Sequence, residues 1–208
     1  MTIHTSDARL LPELEAIQAP APLRDRPSWV CWRYQQFVGE AKPRKIPYWA
    51  DGTRRHGTQG GPQDLARLRT FAAARDAAIR LGFDGVGFAH TMDGGVITLD
   101  FDGCVTDGVV RPDVLELVEG TYAEFSPSGT GIHAIFFGPA DILRNHKARP
   151  EGDDFAVEAF SSAGFTTFTG WVLDHVDVLG YEDRIAPLPD SVAAACQRRF
   201  GANNRSQG

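Results

Sequence analysis

The sequence predicts an α+β fold in which most strands form antiparallel sheet. With 208 residues, of which 42% are hydrophobic, the chain is long enough to bury a core of its own. Short apolar and aromatic runs recur along it, and clusters of Gly, Pro and Asp separate them as turns do. A smaller number of segments have the spacing by threes and fours that is typical of a helix.

The first elements follow from local composition. We expect a short helix near residues 10–17 and then a stiff proline-rich segment, APAPL. SWVCWRY, residues 28–34, predicts the first strand because aromatic and β-branched residues dominate it. KIPYW, residues 45–49, predicts a second extended segment, since Pro47 excludes a helix there. The run GTQGGPQD, residues 57–64, is expected to be a loop.

A helix is predicted to follow this loop and to end at Gly82, because glycine favours helix C-termini. Its apolar residues are spaced by threes and fours: Leu65, Leu68, Phe71, Ala72 and Ile79. Two further helices are expected at residues 113–119 and 191–200. The remaining apolar runs predict the strands of the sheet, which are GVGF, VITLDF, YAEF, HAIFF, FAVEAF and FTTFTG.

Composition excludes several classes of protein. No stretch approaches the roughly 18 apolar residues that a membrane span needs, and the N-terminal residues lack the order of a signal peptide. We therefore expect a cytoplasmic protein without a membrane partner. Cys31, Cys104 and Cys196 have no CxxC spacing, so they predict reduced thiols and neither disulfides nor a structural zinc site.

Charge is unevenly distributed along the chain, although the net charge is −6. Residues 24–55 contain eight Lys or Arg and three acids, whereas residues 84–124 contain nine acids and one Arg. This pattern fits a channel for a polyanion beside a metal site. Scattered surface charge on an ordinary acidic protein is the alternative.

The first chemical motif is VITLDFDGC, in which an apolar strand ends at Asp100 and Asp102. Strand geometry repeats every two residues, so both carboxylates point to one face, roughly 6 to 7 Å apart. Their like charges repel unless a cation lies between them, and Mg²⁺ or Mn²⁺ takes oxygen ligands. A metal site is predicted here. The alternative is a DxDG turn at a strand end, because Asp and Gly are favoured in turns.

The segment YAEFSPSGTGIHAIFF predicts a hairpin whose turn is rich in Ser and Gly. Gly129 and Gly131 let the backbone approach an anion, and Ser128 and Thr130 offer hydroxyl donors to phosphate oxygens. His133 follows on the return strand and keeps one N–H even when it is neutral. The segment is a candidate phosphate site, and a flexible hairpin with a structural histidine is the alternative.

A third acid stands inside the apolar strand FAVEAF. Glu158 lies between Val157 and Ala159, so its carboxylate must be paired, protonated or bound to a cation, unless it faces solvent at a sheet edge. If its strand neighbours that of Asp100, Glu158 completes a site of three carboxylates.

Taken in order, these motifs resemble the archaeo-eukaryotic primase superfamily, and in particular its phage- and plasmid-type bifunctional primase-polymerases. The resemblance rests on the DxD strand, SPSGTGIH, the acid inside an apolar strand, and FTTFTG. It extends over residues 29–170 and includes KIPY and the helix before GFDGVGF. It implies an RRM-like (palm-like) catalytic core of mostly antiparallel sheet, with a smaller N-terminal α/β module.

The resemblance also implies an activity, a nucleotidyltransferase that uses nucleoside triphosphates, a DNA template and two metal ions, Mg²⁺ or Mn²⁺. The implied metal ligands are Asp100, Asp102 and Glu158, and His133 is the implied catalytic contact to the phosphates of the incoming nucleotide. The implied nucleotide-binding residues are Ser128, Gly129, Thr130, Gly131, His133 and Thr169. One position departs from the family, since Gly164 stands where an Arg is expected.

Basic residues of the N-terminal module are the candidate DNA contacts, because they can neutralise backbone phosphates. They are Arg33, Arg44, Lys45, Arg54 and Arg55. Candidates for stacking on bases are Trp29, Trp32, Tyr48 and Trp49, with core packing expected for at least two of them. The partners are single-stranded template and primer, and the family implies a replicative helicase in cis or in trans.

The predicted organisation is a lead-in over residues 1–25, a catalytic domain over residues 26–200 and a polar tail over residues 201–208. Within the catalytic domain we expect a basic module over about 26–82, a metal and nucleotide core over about 83–188 and a closing helix over about 189–200. The cytoplasm of a bacterial host cell and a phage or plasmid origin are the implied setting.

Two other functions stay open from the sequence. A metal-dependent glycosyltransferase also places DxD after an apolar strand, but it does not predict the SGTGIH loop or the basic N-terminal stretch. The second is a nucleotide- or DNA-binding module that has lost catalysis, and Gly164 is compatible with it.

Overall fold

The computed structural model describes residues 13–148, 155–173 and 183–203. Its strands are β1 (Trp29–Gln35), β2 (Arg44–Tyr48), β3 (Gly85–Ala89), β4 (Val96–Asp102), β5 (Val105–Thr106), β6 (Val109–Val110), β7 (Ala123–Phe125), β8 (Gly131–Phe137), β9 (His146–Ala148), β10 (Ala156–Phe160), β11 (Phe165–Phe168) and β12 (Ala186–Pro187). Its helices are α1 (Ala21–Arg24), α2 (Pro62–Leu65), α3 (Phe71–Leu81), α4 (Pro112–Val118) and α5 (Asp190–Asn203). The predicted α+β fold is confirmed.

The first sheet has the strand order β11-β3-β1-β2, and its pairs are all antiparallel. Trp29 and Trp32 of β1 are 1% and 2% exposed, so these two aromatic residues belong to the core. Helix α3 packs on this sheet through Phe71, Ala74 and Ala78. Because β11 follows β10 in the chain, the first sheet includes strands from both sides of the predicted boundary near residue 82.

The second sheet has the order β12-β8-β4-β10-β9, and β7 also pairs with β8. Only the short β12–β8 pair within it is parallel in the described residues. Along β4, Ile97, Leu99 and Phe101 pack in the core that α4 and α5 cover. Asp100 and Asp102 alternate with these residues and so lie on the opposite face. An antiparallel sheet with its helices on one face is the arrangement that an RRM-like core predicts.

The predicted helix after residue 64 is wrong in its first half. Helix α2 ends at Leu65 and α3 begins only at Phe71. In between, the backbone of Arg69 exchanges two hydrogen bonds with Trp29, of 2.9 and 3.2 Å. Thr70 then caps α3 by accepting a hydrogen bond from the N–H of Ala73. Pairing with β1 thus overrides the helical spacing of the apolar residues.

Other predicted elements are close to the observed ones. The helices predicted at residues 113–119 and 191–200 correspond to α4 and α5. Near the N-terminus, residues 10–12 lie outside the described ranges, and residues 14–16 form a turn. The helix there is α1, within the segment that was predicted to be stiff and proline-rich, and it has proline in its first turn, where the N–H groups need no helical partner.

The three cysteines are free, as predicted, and the structure shows that all three are buried. Burial raises the pKa of each thiol to about 12. Among the described residues, no helix combines the length and the apolar character that crossing a bilayer requires.

A buried ion pair holds the loop that follows β2. Arg55 donates to both oxygens of Asp64 at 2.8 and 2.7 Å, and the two side chains are 1% and 2% exposed. The backbone N–H of Gly60 also donates to Asp64, at 2.9 Å. Burial alone raises the pKa of Asp64, but the hydrogen bonds from Arg55 and Gly60 outweigh it and lower that pKa below its usual value. Arg55 therefore has a structural position and not the exposed one that the predicted DNA contact needs.

Replacing Arg55 tests this ion pair. In Arg55→Met the carboxylate of Asp64 stays buried without its partner, so we expect the free energy of unfolding to fall by about 3–5 kcal/mol at neutral pH. Urea unfolding followed by circular dichroism measures the loss. The matched control is Arg54→Met, at the exposed neighbouring arginine, which should change the free energy of unfolding by less than about 0.5 kcal/mol.

The loss should also depend on pH. Folding lowers the pKa of Asp64, so its ion pair contributes fully to the free energy of unfolding above the unfolded pKa, which is about 4. This contribution is lost as the pH falls through the lower pKa of the folded state. The difference between wild type and Arg55→Met therefore narrows below about pH 4. A difference that is independent of pH, or an equal loss in Arg54→Met, contradicts the assignment.

Candidate active site

Five charged or titratable side chains form one row across the second sheet. In order they are Glu124 on β7, His133 on β8, Asp100 on β4, Glu158 on β10 and Lys147 on β9, each opposite the next in the strand register. Residues opposite each other in a sheet point to the same face. The row lies on the face away from α4 and α5, and it brings Asp100, His133 and Glu158 together.

Asp102 lies two residues beyond Asp100 on the same face, at the end of β4. Its partners on the neighbouring strands are Gly131 and Ala156, which have small side chains. A Cβ on Gly131 would approach the carbonyl oxygen of Phe101 to 2.7 Å, so this position needs glycine. Small side chains therefore flank Asp102, which is exposed.

Lys147 pairs with the third acid of the row. Its Nζ donates a hydrogen bond of 2.8 Å to Glu158. This bond raises the pKa of Lys147, and the charges of Glu158, Asp100 and Asp102 add to the effect although partial burial opposes it. Lys147 was not predicted as a site residue, because β9 has only three residues and lacks the apolar run that indicates a strand.

Asp100, Asp102 and Glu158 are the residues that fit a hard divalent cation. Their carboxylate oxygens are the donors that Mg²⁺ and Mn²⁺ prefer, and they share one face of two adjacent strands. Within the described ranges, however, no three His, Cys, Asp or Glu side chains already stand as a group able to hold a metal ion. Glu158 is instead paired with Lys147.

His133 lies between two acids and is 3% exposed. Its Nε2 is 3.8 Å from an oxygen of Asp100, and its Nδ1 is 3.5 Å from an oxygen of Glu124. Neither distance is a short hydrogen bond, and Nδ1 has no hydrogen-bond partner in the described part of the chain. The imidazole therefore has donor capacity that the protein itself does not use.

Glu124 is a fully buried acid that the sequence analysis did not identify as a site residue. Its carboxylate accepts hydrogen bonds from the Tyr122 hydroxyl at 2.8 Å and from the backbone N–H groups of Thr169 and Gly170 at 3.0 and 2.8 Å. These three donors compensate for the loss of water, and they hold the carboxylate beside His133. A signal was present, since Glu124 stands inside an apolar strand in the way that singled out Glu158.

Thr169 was predicted to bind nucleotide, and the structure places it behind the row. Its backbone N–H bonds to Glu124, and its hydroxyl donates to the carbonyl oxygen of Phe125 at 2.8 Å. The side chain is 3% exposed. Thr169 thus supports Glu124 and does not face the open side of the site.

Lys45 extends from the first sheet toward the acids of the second. Burial lowers the pKa of Lys45, while the charges of Asp100, Asp102 and Glu124 oppose that shift. Its Nζ is 3.5 Å from the hydroxyl of Thr167. Lys45, which the sequence predicted as a DNA contact, is half-buried and lies near these acids.

A cleft of about 400 Å³ separates the two sheets at this point. Asp100 and His133 line it from the second sheet, and Lys45 and Thr167 line it from the first. Gln59, in the loop that Arg55 and Asp64 hold, closes one side. The cleft is where cationic, anionic and hydroxyl groups from distant parts of the chain converge.

Gly164, at the position where the family predicts Arg, also lines the cleft. Its φ is +87°, and an added Cβ would lie 3.1 Å from the ring of Phe160, so the backbone here favours glycine. Its N–H donates to Gln59 at 2.6 Å, and its carbonyl oxygen accepts from Arg55 at 3.1 Å. These bonds tie the loop to the cleft wall, and the positive charge in the cleft comes from Lys45.

The Ser- and Gly-rich turn between β7 and β8 lies at the Asp102 end of β4, because Gly131, the first residue of β8, pairs with Asp102. Ser128 and Thr130 are exposed, and their hydroxyls are 2.8 Å apart. Gly129 has a φ of +71°, which glycine adopts without strain. Both hydroxyls can exchange their mutual hydrogen bond for a phosphate oxygen.

The remaining predicted DNA contacts have different environments. Arg33 donates to the carbonyl oxygens of Leu81 and Gly82, at the C-terminal end of α3. Arg44 pairs with Glu40 on the surface. Arg54 is exposed and is the one whose position most directly suits a backbone phosphate.

Comparison with known proteins bears on what this site does. A DNA primase-polymerase of the Nitratiruptor phage NrS-1 is 26% identical to this chain over 174 residues, and the match covers 81% of this chain. The chain is therefore similar to a phage primase-polymerase. It spans 22% of the length of that relative. No family model matches the chain. The similarity supports the resemblance inferred from the motifs.

Removing Lys147 tests its competition with a metal ion. In Lys147→Met, Glu158 no longer pairs with a lysine and is free to join Asp100 and Asp102. We therefore expect Mn²⁺ to bind about two- to fivefold more tightly, a change that corresponds to the free energy of one partly exposed ion pair. Isothermal titration with MnCl₂ gives the two dissociation constants. Lys42→Met, which removes an exposed lysine of the loop between β1 and β2, is the control. Weaker binding in Lys147→Met would show that Lys147 supports the site.

Proposed function

We propose that this chain is the catalytic core of a DNA primase-polymerase, a nucleotidyltransferase that joins nucleotides on a DNA template. The observation that carries the proposal is the charged row, in which Asp100 lies between His133 and Glu158 and faces Lys45 across a cleft. The similarity to a phage DNA primase-polymerase supports the same activity. The cytoplasm of a host cell is the setting that we propose with it.

In this proposal Asp100, Asp102 and Glu158 hold Mg²⁺ or Mn²⁺. Two such ions, held by these residues, would supply activation of the 3′ oxygen of the primer and neutralise charge on the triphosphate and on the leaving pyrophosphate. The protein's own part is to hold three acids on one rigid face, where their mutual repulsion favours uptake of a cation. Glu158 would give up its ion pair with Lys147 to hold the cation.

The incoming nucleoside triphosphate occupies the cleft between the sheets, whose 400 Å³ is within the usual range of ligand sites. Lys45 and His133 lie on opposite walls and donate to phosphate oxygens, as ammonium and imidazole groups do. Ser128 and Thr130 add hydroxyl donors at the Asp102 end. The protein needs no nucleophile of its own, because positioning and charge stabilisation carry most of phosphoryl transfer.

Single-stranded template and primer are the proposed macromolecular partners. Arg54 and Lys42 are exposed cations of the first sheet and its loops, and their contacts to phosphates would make DNA affinity depend on salt. A replicative helicase, in cis or in trans, is the further partner that the family resemblance supports.

Removing the charge of the two aspartates tests the activity. In the double variant Asp100→Asn, Asp102→Asn we expect incorporation of labelled nucleotide on a primed template to fall at least about a hundredfold, because the metal loses its main ligands. Thermal unfolding without metal should occur at an equal or higher temperature, since the like charges are gone. The control is Asp93→Asn, which neutralises an exposed aspartate outside the cleft.

The same assay separates the alternatives. Undiminished incorporation by the double variant contradicts the proposed site. Hydrolysis of a UDP-sugar by the wild type, without nucleotide incorporation, would favour a glycosyltransferase. Binding of nucleotide and DNA without either reaction would favour a binding module that lacks catalysis.

Lys45 and Arg54 should have separable effects, because one lies in the cleft and the other on the surface. We expect Lys45→Ala to weaken nucleoside triphosphate binding about ten- to a hundredfold, as loss of a charged hydrogen bond does, with little change in DNA affinity. Arg54→Ala should instead flatten the salt dependence of DNA binding. Isothermal titration with nucleotide and fluorescence anisotropy with DNA make the comparison. Equal effects of Lys45→Ala on both ligands would contradict its place in a nucleotide site.

A further inference from the structure

A second cavity lies on the other side of the loop that lines the cleft. Its volume is about 710 Å³, compared with about 400 Å³ for the cleft. Residues of the loop and of α2 line it, together with Trp49. It contains none of the residues that the sequence predicted to bind metal or nucleotide, and Trp49 is its one member among the residues predicted to stack on bases. The proposed reaction leaves this cavity without a role.

The indole of Trp49 forms the buried base of this cavity. The guanidinium of Arg67 lies 3.6 Å from the centroid of the Trp49 ring, and the ring of His56 meets it edge-on at 5.1 Å. Arg67 is itself held in place by Asp51 and Thr53. Because Trp49 is only 3% exposed, the planes open to an unpaired nucleic-acid base are the partly exposed guanidinium of Arg67 and the exposed imidazole of His56.

The rim of the cavity is polar and lies in a basic part of the surface. His56, Thr58 and Gln63 are exposed there and offer an imidazole, a hydroxyl and an amide to the edge of a base. Residues 51–69 contain four arginines and two aspartates, and three arginines and one aspartate remain when the buried pair of Arg55 and Asp64 is set aside, whereas the whole chain has a net charge of −6. This local excess of positive charge suits the phosphates that flank a base.

The loop between the two cavities is held firmly. Asp64 accepts hydrogen bonds from Arg55 and from the backbone N–H of Gly60, and Arg55 reaches on to the carbonyl oxygen of Gly164. Gln59 of this loop faces the acid cleft, and Thr58 faces the second cavity. A ligand in one cavity is thus separated from a ligand in the other by a single ordered wall.

We propose that the second cavity binds one unpaired base of the single-stranded DNA template. The stacking surface, the polar rim and the basic surroundings fit a nucleotide unit, and the shared wall places it beside the acid cleft. The identity of the polymer rests on the proposed function. A base held here fixes the template strand at a set distance from Asp100 and so aligns the strand with the cleft.

Two variants remove the cavity in different ways. His56→Ala, Gln63→Ala takes away two exposed polar groups of the rim, and Ala66→Phe fills the cavity from an exposed position without removing a donor. We expect each to weaken the affinity for a fluorescein-labelled single-stranded oligonucleotide about tenfold, the size of one lost base-stacking contact. Gln18→Ala, at an exposed glutamine in the lead-in, is the matched control. Circular dichroism and thermal unfolding check that all variants are folded.

A second measurement locates the base. 2-Aminopurine is placed at successive positions of the oligonucleotide, and its fluorescence is recorded with and without the full chain. We expect one position to respond much more than its neighbours, and Ala66→Phe to abolish that response. Wild-type affinity in both variants, or a uniform response along the strand that Ala66→Phe leaves unchanged, overturns the proposal.

Both measurements are made without metal and without nucleotide, so they do not depend on catalysis. A chain that binds DNA with this positional response but does not extend a primer contradicts the proposed function and supports the base site. A chain that extends a primer, with variants that bind DNA like the wild type, contradicts the base site alone. Absence of any binding to single-stranded DNA overturns both.

Discussion

Repulsion between carboxylates is the constraint on which this site depends. Asp100 and Glu158 lie opposite each other on adjacent strands, and Asp102 is two residues further along the same face. Acids in this arrangement are stable only when cations or hydrogen-bond donors compensate for their charge. Lys147 does so from β9, and Lys45 does so from the other sheet. The rest of the site is arranged around this charge.

Glu124 shows a second way to compensate for a buried charge. It is fully buried, and three hydrogen bonds from neighbouring groups replace the water that its carboxylate has lost. Asp100 and Asp102, by contrast, have no ion pair with Lys or Arg in the described ranges and remain available to a ligand. Glu124 thus lies beside His133 with its charge compensated, whereas Asp100 in the row and Asp102 beyond it are open to a ligand.

The first sheet contributes to the site through a loop and not through its strands alone. The buried pair of Arg55 and Asp64 fixes this loop, and hydrogen bonds to Gly164 attach it to the turn before β11. A buried ion pair adds little net stability, but breaking it is costly, so it defines one geometry. That geometry places Gln59 in the cleft and Thr58 in the second cavity.

Local patterns were enough to predict much of the fold and the centre of the site. Alternation along VITLDFD places Asp100 and Asp102 on one face, because the strand period of two is a property of the backbone. Turn residues and apolar runs likewise predicted the hairpin of β7 and β8, and an acid inside an apolar strand identified Glu158. Glu124 shows the same pattern, but its segment was interpreted as one strand of a hairpin with a phosphate-binding turn, and the acid was not identified.

Contacts between residues far apart in the chain decided the rest. Pairing of Arg69 with Trp29 divided a predicted helix, and the placement of Arg55 against Asp64 turned a predicted DNA contact into a structural one. Charge pattern alone does not distinguish a cation that faces solvent from one that faces an acid, because that depends on which sheet lies opposite. The sequence therefore determined which residue types form the candidate site. The packing of the two sheets decided that Lys45 lies near the acids of the site and that Arg55 does not.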